Sequence, residues 1–190
     1  MRQQPCPLIQ VKRPDDADAP EQVLHQGHWL SLKRRGRWEY AVRNTPAGAV
    51  VIVAMTPQRQ VLFVEQYRVP IGAATIEMPA GLIGDLVDAA DENVYDSARR
   101  ELEEETGYTA ARFELLASGP SSAGMSTEII HFVRARELRK VGPGGGDATE
   151  NIIIHEIPID SAVQWLQERQ RQGIPIDPKL YAGLWWLQQD

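Results

Sequence analysis

Three glutamate side chains near the middle of this chain stand at helical spacing. Glu101, Glu104 and Glu105 occupy positions i, i+3 and i+4, so on a helix they project from one face. Like charges this close repel one another, and a helix that carries them is destabilised unless a cation joins them. Because all the donors are oxygens, a hard divalent ion such as Mg²⁺ or Mn²⁺ is the cation that suits them.

The other face of the same segment is apolar. Val94, Ala98 and Leu102 recur at helical spacing, and the run ends at Gly107, a residue typical of helix ends. These features predict a helix over about 93–106. A solvated acidic surface helix with a buried apolar stripe is the alternative interpretation.

The segment 100–108 also has a form that is found in a known family. It reads Arg-Glu-apolar-any-Glu-Glu-any-Gly-apolar, which resembles the catalytic helix of the Nudix hydrolases. The family pattern has a Glu eight positions before the Arg, here Glu92 (100 − 92 = 8), and a Gly six positions before that Glu. Leu86 stands at that place, so Gly81 corresponds to the family's glycine if the connection is five residues longer (86 − 81 = 5). We expect the extra residues, within 84–91, to form a loop.

Other segments resemble one branch of that family, the ADP-sugar (ADP-ribose) pyrophosphatases. They are 27–32, 37–43, 65–68 and 76–83. In that branch the first two are strands of a small sheet that builds a homodimer and lends residues to the neighbouring active site. The resemblance therefore implies a homodimer with shared active sites, and it extends from about residue 27 to the end of the chain.

The resemblance implies a role for the acidic helix and its neighbours. The carbonyl of Ala80, with Glu101 and Glu105, corresponds to the metal ligands. Glu104 corresponds to a further ligand or to a residue that orients a water. Arg100 corresponds to the residue that joins helix and loop through an ion pair with the glutamate eight positions before it.

The resemblance also implies substrate contacts. Trp29 and Trp38 correspond to a pair that sandwiches the adenine ring, one from each subunit, and aromatic faces are good platforms for bases. Arg68 corresponds to a diphosphate-binding arginine, whose planar fork suits phosphate oxygens. Glu39 and Arg43 correspond to further substrate contacts. The alternatives are that the tryptophans fill a small core and that Arg68 forms a surface ion pair.

The resemblance implies that the general base lies on a mobile loop before a late strand. Glu150, which follows the Gly-rich run 142–146, stands in that place, and Asp147 is the competing candidate. We expect the Gly-rich run to be flexible and to let this loop close over bound substrate. A solvated acidic loop is the alternative, and His131 and His155 are expected to be structural.

One loop both resembles the branch and departs from it. Within 121–128, Gly124 and Met125 correspond to substrate-binding residues. ADP-ribose hydrolases usually carry a proline sixteen positions after the glycine that ends the acidic helix, and Ala123 stands there (107 + 16 = 123). The departure bears on which sugar is accepted and leaves the hydrolytic chemistry intact.

The elements that position these residues are predicted from apolar periodicity and turn residues. Residues 1–26, rich in Pro, Asp and Gln, predict a loose lead-in. We expect strands at about 29–33, 38–43, 49–55, 61–67, 75–78, 112–118, 128–135 and 151–157. Besides the acidic helix we expect one helix over 161–172 and another that begins at Asp177-Pro178 and buries Leu180, Leu184, Trp185 and Leu187.

This order of elements predicts an α/β fold. Strands with one central and two terminal helices indicate mixed sheets with helices on the outside. The resemblance specifies this as the Nudix α/β/α sandwich, preceded by a small N-terminal antiparallel sheet. We expect 1–44 to serve dimerisation and substrate contacts and 45–190 to form the hydrolase domain.

Composition sets further limits on function. With 190 residues and 43% hydrophobic content, an ordinary globular fold is expected. A net charge of −6 argues against general nucleic-acid binding, because phosphates are repelled without a strong basic patch. The longest apolar run, 47–55, is too short to cross a bilayer. A lone Cys6 and an N-terminus without a signal layout fit a reducing cytoplasm.

The sequence therefore predicts a Mg²⁺-dependent hydrolase of ADP-ribose or a related ADP-sugar. The nearest rival is a GDP-mannose or general nucleotide-sugar pyrophosphatase of the same superfamily. A rival of another class is a Nudix-like ligand sensor without catalysis, although a sensor has no need of three metal-facing glutamates.

Overall fold

The computed structural model describes residues 11–44, 48–84, 91–146 and 151–189. The strands are β1 (Glu21–Gln26), β2 (Leu30–Arg35), β3 (Trp38–Arg43), β4 (Ala49–Ala54), β5 (Gln60–Arg68), β6 (Ala73–Glu77), β7 (Ala80–Leu82), β8 (Tyr108–Pro120), β9 (Ile129–Lys140) and β10 (Ile153–Pro158). The helices are α1 (Val94–Thr106), α2 (Ile159–Arg171) and α3 (Lys179–Leu187). Residue contacts divide the chain into one unit of Met1–Asn44 with Ser122–Thr127 and another of Thr45–Ser121 with Glu128–Asp190.

The first unit is a three-stranded antiparallel sheet in the order β1-β2-β3. The predicted N-terminal sheet is thus confirmed, but the prediction of a loose lead-in over 1–26 is wrong for Glu21–Gln26, which forms β1. Every residue of β1 is exposed, so the strand has no buried face for apolar periodicity to reveal. Its backbone pairs with β2, and Lys33 reinforces the pairing by donating to Glu21 at 2.7 Å.

A loop from later in the chain completes this unit. The backbone N–H of Ala41 in β3 donates to the carbonyl of Met125 at 2.8 Å, and that of Thr127 donates to the carbonyl of Ala41 at 3.2 Å. These bonds join the loop Ser122–Thr127 to β3, although some eighty residues separate them in the sequence.

The second unit contains two sheets. One has the order β10-β5-β6 and is antiparallel throughout. The other has the order β7-β4-β9-β8, in which β4 and β9 are parallel and the remaining pairs are antiparallel. The predicted mixed sheet with helices is therefore confirmed.

Strand β4 shows how the helices cover both of its faces. All of its residues except the first are buried, as expected of a strand between two layers. Val50 and Ile52 belong to the apolar cluster that contains Leu102 of α1, whereas Val51 and Val53 belong to the cluster that holds buried residues of α2 and α3. Residues on one face of a strand alternate with those on the other, so this division follows directly from the strand.

The terminal helices begin close to where the sequence predicts. Asp177 accepts a hydrogen bond from the backbone N–H of Lys179 at 2.8 Å, and the helix begins there. Leu180, Leu184 and Leu187 are buried as predicted. The prediction that Trp185 is buried is wrong, because its side chain is 57% exposed.

Candidate active site

Helix α1 begins and ends at local capping contacts. The side-chain oxygen of Asn93 accepts from the backbone N–H groups of Tyr95 and Asp96, at 2.9 and 3.2 Å. Gly107 ends the helix with φ 70°, a left-handed conformation that favours glycine. Both caps are encoded within the helix and its flanks, so the predicted range of 93–106 agrees closely with the structure.

The three glutamates at helical spacing on α1 differ in exposure. Glu105 is 2% exposed and Glu101 is 8% exposed, whereas Glu104 lies on the surface. Ala98 and Leu102 are fully buried, as the apolar stripe predicts. The alternative of a solvated acidic surface helix is therefore excluded, because two of its carboxylates are buried as well as its apolar stripe.

Arg100 is the cation that joins these carboxylates in the structure. Its guanidinium donates to Glu92 at 3.1 Å, to Glu101 at 2.7 Å and to Glu104 at 3.3 Å. It also donates to the carbonyl of Leu82, at 3.2 Å. The predicted ion pair between helix and loop is thus present, and we call Arg100 with Glu92, Glu101 and Glu104 the Arg100 cluster.

Glu92 is the most enclosed partner in this cluster. Burial alone raises the pKa of its carboxyl, but hydrogen bonds from Arg100, Ser97 and the backbone N–H of Gly84 outweigh that effect. The pKa of Glu92 therefore lies below its ordinary value. Residues 85–90, the middle of the 84–91 insertion, lie outside the described residues.

The strand segment at the start of β7 meets α1 at very short range. The backbone N–H of Ala80 donates to the carboxylate of Glu105 at 3.0 Å, and Gln66 lies 3.5 Å from its other oxygen. A Cβ on Gly81 would lie 1.9 Å from the carboxyl carbon of Glu101, so a larger residue there would displace the Glu101 side chain. Glycine at position 81 therefore lets Glu101 keep its present place beside β7.

The Gly-rich run is anchored to the end of α1. Gly145 and Gly146 donate backbone N–H groups to the carbonyls of Glu105 and Glu104 at 2.9 and 3.0 Å, and Lys140 donates to that of Thr106 at 3.0 Å. These bonds satisfy carbonyls that have no partner within the helix. The run is a loop, as predicted, and these bonds join Gly145 and Gly146 to the end of α1.

The two base candidates, Glu150 and Asp147, lie outside the described residues.

The predicted diphosphate-binding residue Arg68, at the end of β5, donates to both carboxylate oxygens of Glu77, at 2.6 and 2.9 Å. The ion pair that was the alternative for Arg68 is thus present, although its partner is buried. His131 contacts Ser118 and His155 contacts Glu65, both at 2.8 Å.

Other predicted substrate residues meet in the first unit. A surface cavity of about 440 Å³ is lined by Trp38, Glu39, Tyr40, Gly124 and Met125, among others. Four of these are residues for which the resemblance implies substrate contacts, and Trp38 is 47% exposed there. Of the other two predicted residues in this unit, Trp29 is 70% exposed and Arg43 ends β3, and neither lines this cavity.

Sequence reasoning missed one charged group beside this cavity. Glu21 accepts from Lys33 and from the hydroxyl of Tyr40, each at 2.7 Å, and from Arg35 at 3.3 Å. These hydrogen bonds, led by that of Lys33, lower the pKa of Glu21 to about 2. The sequence gives no sign of this contact, because Glu21 lies in the segment predicted to be loose.

Comparison with known proteins places these features in a family. Residues 45–175 match the model of the NUDIX domain. The chain belongs to the NUDIX family. The resemblance of the acidic helix to that family is therefore confirmed, and the matched range includes α1, β5, β6 and β7.

The relatives of this NUDIX protein carry different names. It is 39% identical to the methanol dehydrogenase activator of Bacillus methanolicus and 32% identical to the ADP-ribose pyrophosphatase of Bacillus subtilis, over 65% of this chain in each case. The match spans 64% of each of those two proteins. A crystal structure of an ADP compounds hydrolase superposes with a TM-score of 0.69 over 90% of each chain at 18% identity, which shows the shared fold.

NUDIX hydrolases generally use divalent metal ions, and the donors of this chain suit such an ion chemically. Glu101, Glu104 and Glu105 supply carboxylate oxygens, and Ala80 adds a backbone carbonyl. Within the described ranges, no three acidic, His or Cys side chains are gathered closely enough to hold an ion. The carboxylate of Glu101 instead contacts Arg100, and that of Glu105 accepts from the N–H of Ala80.

Among the described residues, no helix is long and apolar enough to span a membrane.

Proposed function

We propose that this chain is a Mg²⁺-dependent pyrophosphatase that hydrolyses ADP-ribose or a related ADP-sugar to AMP and a sugar phosphate. The observation that carries the proposal is the pair of buried carboxylates, Glu101 and Glu105, where a NUDIX helix meets the strand segment of Ala80 and Gly81. The names of the Bacillus subtilis relative and of the structural neighbour support an ADP-containing substrate. We infer a cytoplasmic location from the lone Cys6.

In this proposal Glu101, Glu105 and the carbonyl of Ala80 hold the ion, with Glu104 as a further ligand or a residue that orients water. Mg²⁺, or Mn²⁺ with the same preference for oxygen, supplies Lewis acidity and neutralises diphosphate charge when bound. The two glutamates would exchange some of their present contacts for the ion, while Arg100 would keep α1 joined to Glu92 and to the carbonyl of Leu82.

The remaining residues act on the substrate and the attacking water. Glu150 takes the proton of the water as it attacks phosphorus. Arg68 steadies charge on the non-bridging oxygens of the diphosphate. Trp29 and Trp38 stack on adenine, in a homodimer whose subunits share their sites.

Further contacts are proposed around the cavity of the first unit. Glu39, Gly124 and Met125 line this cavity with Trp38, which supports their assignment to substrate binding. Arg43 is proposed as a contact by resemblance alone. We propose 1–44 as the region of dimerisation and substrate contact and 45–190 as the hydrolase domain.

Two observations favour other functions. Ala123, in place of the usual proline, favours a different sugar or base, such as that of GDP-mannose. The methanol dehydrogenase activator at 39% identity favours a regulatory role toward another enzyme, which includes a sensor without turnover. The first rival predicts poor selectivity for adenine, and the second predicts binding of ADP-ribose without turnover.

The test is a substrate panel with Mg²⁺, with products identified by chromatography. It comprises ADP-ribose, ADP-glucose, GDP-mannose, UDP-glucose, diadenosine polyphosphates and nucleoside triphosphates. We expect ADP-ribose to give AMP and ribose 5-phosphate with the highest kcat/KM. Preference for GDP-mannose would support the first rival, whereas tight ADP-ribose binding without any turnover would support the second.

The same assay tests the base. Glu150→Gln is expected to lower kcat by roughly 10²–10⁴ with little change in substrate affinity, since proton transfer contributes about that much. Asp147→Asn is the matched control. A loss from Asp147→Asn with none from Glu150→Gln would move the role to Asp147.

A further inference from the structure

Arg68, a predicted substrate residue, forms a partly enclosed ion pair with Glu77. The Nε and Nη2 atoms of Arg68 donate to the two oxygens of Glu77, at 2.6 and 2.9 Å. The side chain of Glu77 is 11% exposed, while that of Arg68 is 38% exposed. A buried carboxylate thus holds one edge of a guanidinium that solvent can still reach.

The strand register shows that this pair lies on the side of the hairpin that faces α1. Arg68 is opposite Ala73 and Glu77 is opposite Val64, so the arginine reaches back along the hairpin to its partner. Side chains alternate along a strand, so Arg68 shares its face with Gln66, the residue within 3.5 Å of Glu105. Glu77 and Arg68 therefore lie on the same face of the β5–β6 hairpin as Gln66, the residue that contacts Glu105 of α1.

The chain itself also links Glu77 to the metal-ligand segment. Glu77 is the last residue of β6, and only two residues separate it from Ala80, whose N–H donates to Glu105. On the same face, the hydroxyl of Thr75 is buried and has no hydrogen-bond partner among the described residues. A buried hydroxyl is rarely left without a partner, so this strip suits a further polar group such as a phosphate oxygen.

We propose that Glu77 is a positioning residue that orients Arg68 toward the diphosphate of the substrate. This inference rests on the proposed function. Fixing an arginine side chain costs rotamer entropy, and a buried carboxylate that fixes it beforehand removes that cost from binding. Glu77 accepts from two of the five N–H donors of the guanidinium, which fixes the plane of the group. Its charge also offsets that of Arg68 before substrate arrives.

The test is a double-mutant cycle in steady-state kinetics with ADP-ribose and Mg²⁺. Glu77→Ala is expected to raise KM about tenfold and to change kcat little, the effect of misplacing a charge-assisted hydrogen bond. Glu77→Gln, whose amide oxygen still accepts one bond, is expected to recover part of this loss. In an Arg68→Ala background, Glu77→Ala is expected to cause no further change, because Glu77 acts through Arg68.

Glu114→Ala is the matched control. It removes a 2.9 Å ion pair with Arg136 on β8 and β9, so it reports what loss of an ion pair alone does to KM. An equal rise in KM from Glu77→Ala in both backgrounds would overturn the proposal. So would an unchanged KM with a lowered melting temperature, which is the result of a purely structural pair.

Failure of the proposed function would be seen separately, as absence of turnover in the unaltered protein. In that case the double-mutant cycle is measured as the Kd of ADP for each variant, by titration calorimetry, because ADP carries a diphosphate. The same pattern in Kd would support the role of Glu77, and equal Kd values for the unaltered protein and Glu77→Ala would overturn it.

Discussion

The Arg100 cluster and the Glu21 contacts both join glutamate carboxylates to basic side chains, but the two sets differ in burial. In the cluster, the side chains of Arg100 and Glu92 are 17% and 8% exposed. In the first unit, those of Lys33 and Glu21 are 25% and 34% exposed. Solvent screens the second set, so its ion pairs contribute little to stability. Ion pairs with similar distances can therefore contribute differently to the stability of the fold.

The same contrast extends to apolar contacts. Around α1, Ala98 and Leu102 are fully buried against the sheet. In the sheet of β1 to β3, by contrast, large apolar side chains are exposed: Val23, Leu24, Leu30, Leu32 and Trp38. A small sheet with so little burial is marginal alone, and a second copy of the chain is the partner we propose for it.

The largest expected effect comes from removing a buried carboxylate of α1. Glu105→Gln keeps the shape and an acceptor for the N–H of Ala80, but it removes a charged metal ligand. We expect kcat to fall by about a hundredfold or more, because metal-ion catalysis contributes several kcal/mol. Activity is measured across a Mg²⁺ titration. Glu103→Gln, an exposed glutamate of the same helix, is the control, and near-normal activity of Glu105→Gln at low Mg²⁺ would refute the ligand assignment.

The next effect separates the two charged regions by stability. Arg100→Met leaves Glu92 buried without its cation, and breaking a buried pair in this way costs about 3–5 kcal/mol. Lys33→Met removes a cation that contacts the exposed Glu21, and it is expected to leave the free energy of unfolding unchanged within error. Urea unfolding of both variants measures the difference. Equal destabilisation would contradict the comparison between the regions.

The sequence predicts α1 well because its determinants are local. The cap at Asn93, the stop at Gly107 and the apolar stripe all lie within the segment itself. Burial of Glu101 and Glu105 depends instead on a strand some twenty residues earlier, which the spacing of the glutamates cannot reveal. Only the family resemblance pointed to Ala80 and Gly81.

Elements without a local pattern were missed. Strand β1 has no buried residue, so its sequence carries no alternation, and its pairing with β2 alone makes it a strand. The glycines of 142–146 predict only a loop, whereas the structure shows that one of them, Gly144, lets the loop backbone approach the end of α1 closely. Trp185 follows buried Leu184 by one residue, which turns it about 100° away on the helix.

A smaller effect is expected from Trp38, the exposed aromatic of the cavity. Trp38→Ala should weaken ADP-ribose binding by about 1–3 kcal/mol, the value of one stacked base, and should spare the dimer. Mixing Trp38→Ala with Glu105→Gln subunits tests whether sites are shared. If they are, one site of each heterodimer carries both defects and the other carries neither, so activity partly recovers.

Light scattering completes this test. The unaltered chain is expected to be a dimer at micromolar concentration, and a chain without residues 1–44 is expected to be monomeric or insoluble. A monomeric unaltered chain, or no recovery on mixing, would contradict the shared site.

The smallest effect is a difference in pH dependence between Glu92 and Glu21. The pKa of Glu92 is lowered on folding, so its contribution to stability is present above the ordinary value of 4.5 and is lost as pH falls through the folded value. The destabilisation caused by Glu92→Gln, measured by urea unfolding with chelator present, should therefore be full at pH 7 and shrink below about pH 4.5. Glu21, with a pKa lowered to about 2, follows the same rule, so its contribution also falls below about pH 4.5, but solvent screening keeps that contribution small. The Glu21→Gln difference should accordingly be small at every pH, and a Glu92→Gln difference that is flat between pH 7 and pH 3 would show that the charge of Glu92 does not stabilise the cluster.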